Sequence, residues 1–180
     1  MYGDFIIENK LATSTEAQKD SWKYSLTKDD QNFISQYLQS KSAAIQTDVR
    51  FLNFQGMIAT GANSKIFIGH GFDIQKGAKM RENWKWNVLY GLPLHESKTV
   101  APILLGQTLA HQLGCDPEKH IYTLQSEGGY LATERPFICK RSDMQLSVTT
   151  PTGNLNAVDF EVTGIIDAGY KDIDSRFLEI

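Results

Sequence analysis

Val49-Arg50-Phe51-Leu52-Asn53-Phe54-Gln55-Gly56-Met57-Ile58, then Thr60-Gly61-Ala62-Asn63-Ser64, then Lys65-Ile66-Phe67-Ile68-Gly69: the fold is decided by how this stretch is read. Both runs are rich in β-branched and aromatic residues, and the link between them is built from small, turn-forming ones. That pattern predicts a β-hairpin. Just upstream, Ile45, Thr47, Val49 and Phe51 alternate with Gln46, Asp48, Arg50 and Leu52, which is strand periodicity, so the first strand of the pair is expected from Ile45.

Before the hairpin, Thr27 can cap free backbone N–H groups, and Asp30 three residues on completes a capping-box pattern. Phe33, Ile34, Tyr37 and Leu38 follow at helical spacing, so a helix with one apolar face is expected to end near Lys41. Further upstream, Phe5 to Lys10 (F-I-I-E-N-K) predicts a short first strand, and Leu11 to Leu26 a polar loop pinned by the rings of Trp22 and Tyr24. The resulting β-α-β-β order points to an α+β fold with a helix on one face of a sheet.

Downstream, Gly71 to Tyr90 reads as a short helix or a loop. Ile103-Leu104-Leu105 is expected to enter a second helix, with Leu105, Leu109 and Leu113 on one face and Gly114 as a left-handed C-terminal cap. Ile121 to Leu124, Gln145 to Thr150 and Leu155 to Ile166 read as strands, the last two joined by the turn Pro151-Thr152-Gly153-Asn154. In the final one, Val158, Phe160 and Val162 face one way. Phe177 to Ile180 looks like the beginning of another strand, cut off.

The bulk composition narrows the function. The 180 residues are 41% hydrophobic and 22% charged, enough for a real core in one domain or two small lobes. A formal net charge of −3 argues against a nucleic-acid surface, which needs accumulated Lys and Arg. No apolar run approaches the roughly 20 residues of a membrane span, and Met1-Tyr2-Gly3-Asp4-Phe5 lacks the basic-then-apolar start of a signal peptide.

Reactive chemistry is thinly represented. Gly69-His70-Gly71-Phe72-Asp73 could hold a His–Asp pair for a hydrolase, but the same glycines suit a tight strand exit with ordinary turn residues. There is no Gly-x-Ser-x-Gly elbow and no phosphate-cradling P-loop. Glu127-Gly128-Gly129 fits a flexible turn, Lys140-Arg141 a solvated surface, and His111 an exposed position opposite the leucine face. Cys115 and Cys139 lie 24 positions apart, a spacing that matches no zinc site; they read as two buried thiols acting as small apolar residues, with a disulfide competing only if the domain lies outside the cytoplasm. No metal or other cofactor is read from the sequence. Trp84, Trp86 and Tyr90 form an aromatic segment suited either to a recognition surface or to plugging a small core.

Three segments, in order, resemble the periplasmic core domain of MacB-like ABC-transporter permeases, the group that includes the FtsX and lipoprotein-releasing LolC and LolE types. Val49 to Ile58 with Ile66 to Asp73 is similar to that family's strand, hairpin and "G-x-G-(V/F)-D" exit. Ile103 to Gly114 is similar to its "I-x-L-G-x-x-L-A-x-x-L-G" strand-to-helix signature. Thr152 to Val158 running into Phe160 to Gly169 is similar to its "F-x-V-x-G-I-x-x-x-G" strand.

The resemblance implies an α+β domain over residues 1–180, with a porter-like β-α-β lobe and a second, mostly β (Sabre-like) lobe. It implies a non-catalytic part at the periplasmic face of the inner membrane, transmitting ATP-driven motion to a lipoprotein, lipid or peptide substrate. The implied partners are a second permease protomer, a cytoplasmic ATP-binding subunit reached through the membrane part, and a periplasmic carrier or adaptor. The family's Gly-Asp pair has its counterpart at Ser142-Asp143, so Cys115 to Arg141 reads as an insertion. In an extracytoplasmic setting Cys115 and Cys139 are expected to pair at its base. The family also continues past the equivalent of Ile180 with a helix and strand that complete the porter lobe.

Overall fold

Thr27 and Asp30 bracket the first helix, α1 (Lys28–Ser40), in the computed structural model, which describes residues 5–17, 22–80, 88–118, 122–125, 131–141 and 143–180. Asp30 N–H donates to Thr27 Oγ1 at 3.2 Å and Thr27 N–H donates to Asp30 Oδ2 at 3.0 Å, so two otherwise orphaned donors are satisfied reciprocally. The helix ends at Lys41, where the sequence places its end. Its apolar face is only partly covered: Ile34 and Leu38 are half-buried, whereas Phe33 is 70% and Tyr37 55% exposed.

The expected hairpin is β1 (Phe51–Ala59) and β2 (Ser64–Phe72), in antiparallel register from Phe51 opposite Phe72 to Ala59 opposite Ser64. Two expectations are corrected here. Ile45 to Arg50 is not strand: β2 ends with Phe72 opposite Phe51 and offers no residue across from 45–50, and alternation without a partner edge does not make a ladder. Phe5 to Lys10 is not a strand either, and runs as irregular chain into a turn.

After β2, Asp73 opens α2 (Ile74–Met80), accepting from Lys76 N–H at 3.0 Å. Strand β3 (Val88–Gly91) and a single 3-10 turn (Leu94–Glu96) lead to β4 (Pro102–Gly106). Ile103-Leu104-Leu105 therefore does not enter a helix. An unbroken apolar run has no period of its own, and all five residues of β4 are buried, as a strand covered on both faces requires. The helix α3 (Gln107–Gln112) begins only after Gly106. Gly114, at φ 86°, takes the left-handed turn that ends this helix.

Next come two small antiparallel ribbons, one nested in the other: β5 (Cys115–Pro117) with β8 (Phe137–Cys139), and β6 (Tyr122–Gln125) with β7 (Leu131–Glu134). They occupy the segment read as an insertion. A long hairpin, β9 (Asp143–Thr149) and β10 (Leu155–Ile166), follows, then the one-turn helix α4 (Lys171–Asp174) and β11 (Phe177–Glu179). Phe177 to Glu179 is thus a paired strand, seated between β2 and β4.

Six strands close into a ring in the order β10-β4-β11-β2-β1-β9 and back to β10. β10 runs parallel to β4, and β11 parallel to β2; the other neighbours are antiparallel. β3 adds to the C-terminal half of β10, beyond the end of β9. A register shift between Val162 and Gly164 lets Val162 and Ile165 both face inward although they are three residues apart. The interior holds Phe54, Ile58, Phe67, Ile103, Leu105, Met144, Leu146 and Leu178, with the Phe54 and Phe67 rings edge-to-face at 5.5 Å. Leu109, Ala110 and Leu113 of α3 join this same core. The shared face of Leu105, Leu109 and Leu113 is real, but it is assembled from a strand and a helix. A smaller cluster (Leu94, Leu104 and Ile166, with Phe72, Val88 and Phe177 against them) packs on the outer side of the sheet.

Candidate functional site

His70 and Asp73 leave β2 together but serve different neighbours. The His70 ring lies 4.8 Å from that of Phe51 and 6.0 Å from that of Phe72, an aromatic trio on the outer face of the hairpin. Asp73 spends a carboxylate oxygen on the backbone N–H of Lys76 at the start of α2. Lys76 Nζ reaches Asp48 at 3.1 Å on the surface.

Of the aromatic segment, Trp84 and Trp86 lie outside the described residues. Tyr90 sits on β3, half-buried and packed against the barrel core, so this ring is spent on packing. His111 is on the exposed face of α3, as expected, and its Nδ1 pairs with the Asp116 carboxylate at the start of β5. Glu127-Gly128-Gly129 lies outside the described residues.

Cys115 and Cys139 face each other in the register of β5 and β8 and are joined as a disulfide. Cys115 belongs to the barrel core, with Cys139 packed against it. The bond therefore ties the root of the ribbon arm to the end of α3. Arg141, just past the arm, donates through a guanidinium nitrogen to the Thr60 carbonyl at 3.2 Å, which fixes the arm's exit to the β1–β2 turn.

A second tie was invisible in the sequence. Asp174, almost fully buried, accepts from the N–H groups of Gln107 (3.0 Å) and Thr108 (2.6 Å), and from Ala168 N–H (3.3 Å). A carboxylate at the first turn of a helix answers both the orphan donors and the positive end of its dipole. Its partners lie some 66 and 67 positions upstream, so no local pattern announces it.

The end of the barrel opposite α3 opens into a broad groove of about 1770 Å³. Its floor is the barrel mouth, with Leu52, Phe54, Phe160 and Ile180; its walls are α1, through Ile34 and Leu38, and the N-terminal segment from Phe5 to Asn9. Trp22 Nε1–H donates to the Thr149 carbonyl at 3.3 Å and ties the 11–26 segment to the barrel, as the sequence has it, whereas Tyr24 Oη–H donates to Glu16 Oε2 at 2.9 Å inside the same segment and so braces the loop on itself. Among the described residues no group of three or more His, Cys, Asp or Glu side chains is placed to hold a metal ion, and no helix is long and apolar enough to cross a membrane.

No family model matches the chain, and no curated protein matches it. The geometry that stands out is a closed ring of strands, one end filled by α3 and the other an open apolar mouth, with a disulfide and a buried carboxylate tying peripheral elements to it.

Proposed function

We propose that this chain is the extracytoplasmic domain of a MacB-like ABC-transporter permease, a non-catalytic part that passes ATP-driven motion to a substrate outside the inner membrane. The observation that carries the reading is where the three resembling segments fall. Val49 to Asp73 holds β1 and β2, Ile103 to Gly114 holds β4 and α3, and Thr152 to Gly169 holds β10. Segments distant in sequence thus meet in one ring, and the stretch read as an insertion forms two small ribbons that pair with none of the ring's strands.

A domain that transmits motion needs stiffness, not a reactive side chain. Ring closure with parallel pairings between distant strands supplies that stiffness, because no strand of the ring can shift without breaking ladders on both sides. The partners are a second permease protomer, an ATP-binding subunit on the other side of the membrane, and a carrier or adaptor at the periplasmic side.

The test is the reading frame that encodes the chain, together with fractionation of its full product. One apolar span of roughly 20 residues before Tyr2 and three after Ile180, with the product in the inner membrane, is the expected result. A frame without such spans, or a product that fractionates free of membrane, would overturn the proposal.

A further inference from the structure

The β1 strand is covered unequally on its two edges. β2 pairs with it along its whole length, whereas β9 pairs only with Gly56 to Ala59. Among the described residues, Leu52 to Gln55 therefore have a strand neighbour on one edge only. Alternate N–H and C=O groups of this stretch point away from β2, and all four residues line the groove. An exposed strand edge of this kind is a template for another strand.

The lip of the same groove carries Phe5-Ile6-Ile7-Glu8, the run whose composition predicts a strand and which has none here. Phe5 is 90%, Ile6 73% and Ile7 53% exposed, three consecutive large apolar side chains in water beside an apolar groove. The segment is anchored at its far end by Trp22 on Thr149, and between them the chain is shaped by local turns at Asn9 and Ser14. Among the described residues, no hydrogen bond or ion pair ties residues 5–8 to the barrel.

We propose that Phe5 to Glu8 is a strap that closes the groove by adding as a strand to the open edge of β1 at Leu52 to Gln55. The alternation suits it. With Phe5 and Ile7 turned toward the barrel mouth beside Leu52 and Phe54, Ile6 and Glu8 fall on the outer face with Asn53 and Gln55. Closure covers the exposed apolar run and satisfies the open ladder at once, and a pull on the strap reopens the mouth. The inference does not depend on the transporter reading.

Hydrogen exchange with mass spectrometry on the full chain tests it, comparing the parent with Ile6→Pro and with Phe5→Asp/Ile7→Asp. Proline removes the strand donor, and the aspartates remove the apolar face. In the parent, the edge amides of Leu52 to Gln55 exchange about tenfold more slowly than in either variant, while Gly56 to Ala59 and Ile103 to Leu105 are unchanged. The last two segments report within the same experiment that the barrel is intact. Equal rates at Leu52 to Gln55 in all three proteins would overturn the proposal. So would protection there that rises with protein concentration, which would put a second copy on the edge in place of the strap.

Discussion

The carboxylate of Asp174 closes the N-terminus of α3, with Thr108 N–H donating to it at 2.6 Å. A residue of the last helical turn thereby fixes where β4 stops and α3 starts. Asp174→Ala leaves the Thr108 and Gln107 donors buried without their acceptor, and should destabilise the fold by about 3 kcal/mol. Asp174→Asn keeps one oxygen but sets an amide N–H2, which cannot accept, against the remaining backbone donor, and should cost about 2 kcal/mol. Urea unfolding of the two variants checks this; equal midpoints for parent and alanine variant would remove Asp174 from any structural role.

Gly106, at the joint between β4 and α3, is the other half of that contact. A Cβ there would stand 2.3 Å from the Asp174 carbonyl oxygen, a backbone atom with no rotamer to move away. Gly106→Ala should therefore cost about 2–3 kcal/mol, through displacement of α4, and alanine is also the poorer residue at this N-cap position of α3. Thermal unfolding decides it, since a variant as stable as the parent would mean that the α4 turn yields freely.

The Cys115–Cys139 bond encloses a chain segment with a sequence separation of 24. Constraining a loop of that size in the unfolded state should contribute about 3 kcal/mol. Thiol titration of the unfolded, unreduced protein should find no free thiol. Reductant should lower the unfolding midpoint of the parent and leave that of Cys115→Ala/Cys139→Ala unmoved. Two titratable thiols in the parent would contradict the pairing.

The elements that the sequence announces are the ones whose cause is local. The β1–β2 and β9–β10 hairpins carry their turns at Thr60 to Ser64 and Pro151 to Asn154, and α1 carries its own cap. Where the cause is distant, the sequence misleads. Ile103-Leu104-Leu105 looks the same entering a helix or crossing a sheet, and only its burial between β10 and β11 makes it a strand. Ile45 to Arg50 and Phe5 to Lys10 have strand composition but are paired with no other strand. The ring, the groove and the Asp174 tie all depend on contacts between segments far apart in the chain, and no periodicity reports those.

Helical spacing alone does not tell α1 from α3, but burial does. Leu109 is fully buried at the barrel end, so Leu109→Ala should cost about 3 kcal/mol through lost contacts and a residual cavity. Phe33, at an equally regular apolar position, is 70% exposed, and Phe33→Ser should change stability by less than about 0.5 kcal/mol. Denaturant unfolding of both checks the contrast. A costly Phe33→Ser would mean that α1 packs against the barrel more closely in solution.

The cap of α1 should respond to acid in a defined direction. The Thr27 hydroxyl, and after it the Thr27 backbone N–H, hydrogen-bond the Asp30 carboxylate and hold its pKa below the ordinary carboxylate value. The unfolded chain lacks these bonds and titrates near the ordinary value of about 3.9. A group whose pKa is depressed on folding stabilises the fold above its unfolded pKa and loses that contribution as pH falls through the folded one. The first turn of α1 should therefore fray only below about pH 3.9. Thr27→Ala removes the larger of the two causes and keeps the backbone bond, so Asp30 should titrate at a higher pH than in the parent, without returning fully to the ordinary value. Carboxyl chemical shifts of Asp30 followed by NMR across the acid range measure both midpoints. Identical midpoints would show that the hydroxyl does not hold the carboxylate, and the capping box would then rest on the backbone bonds alone.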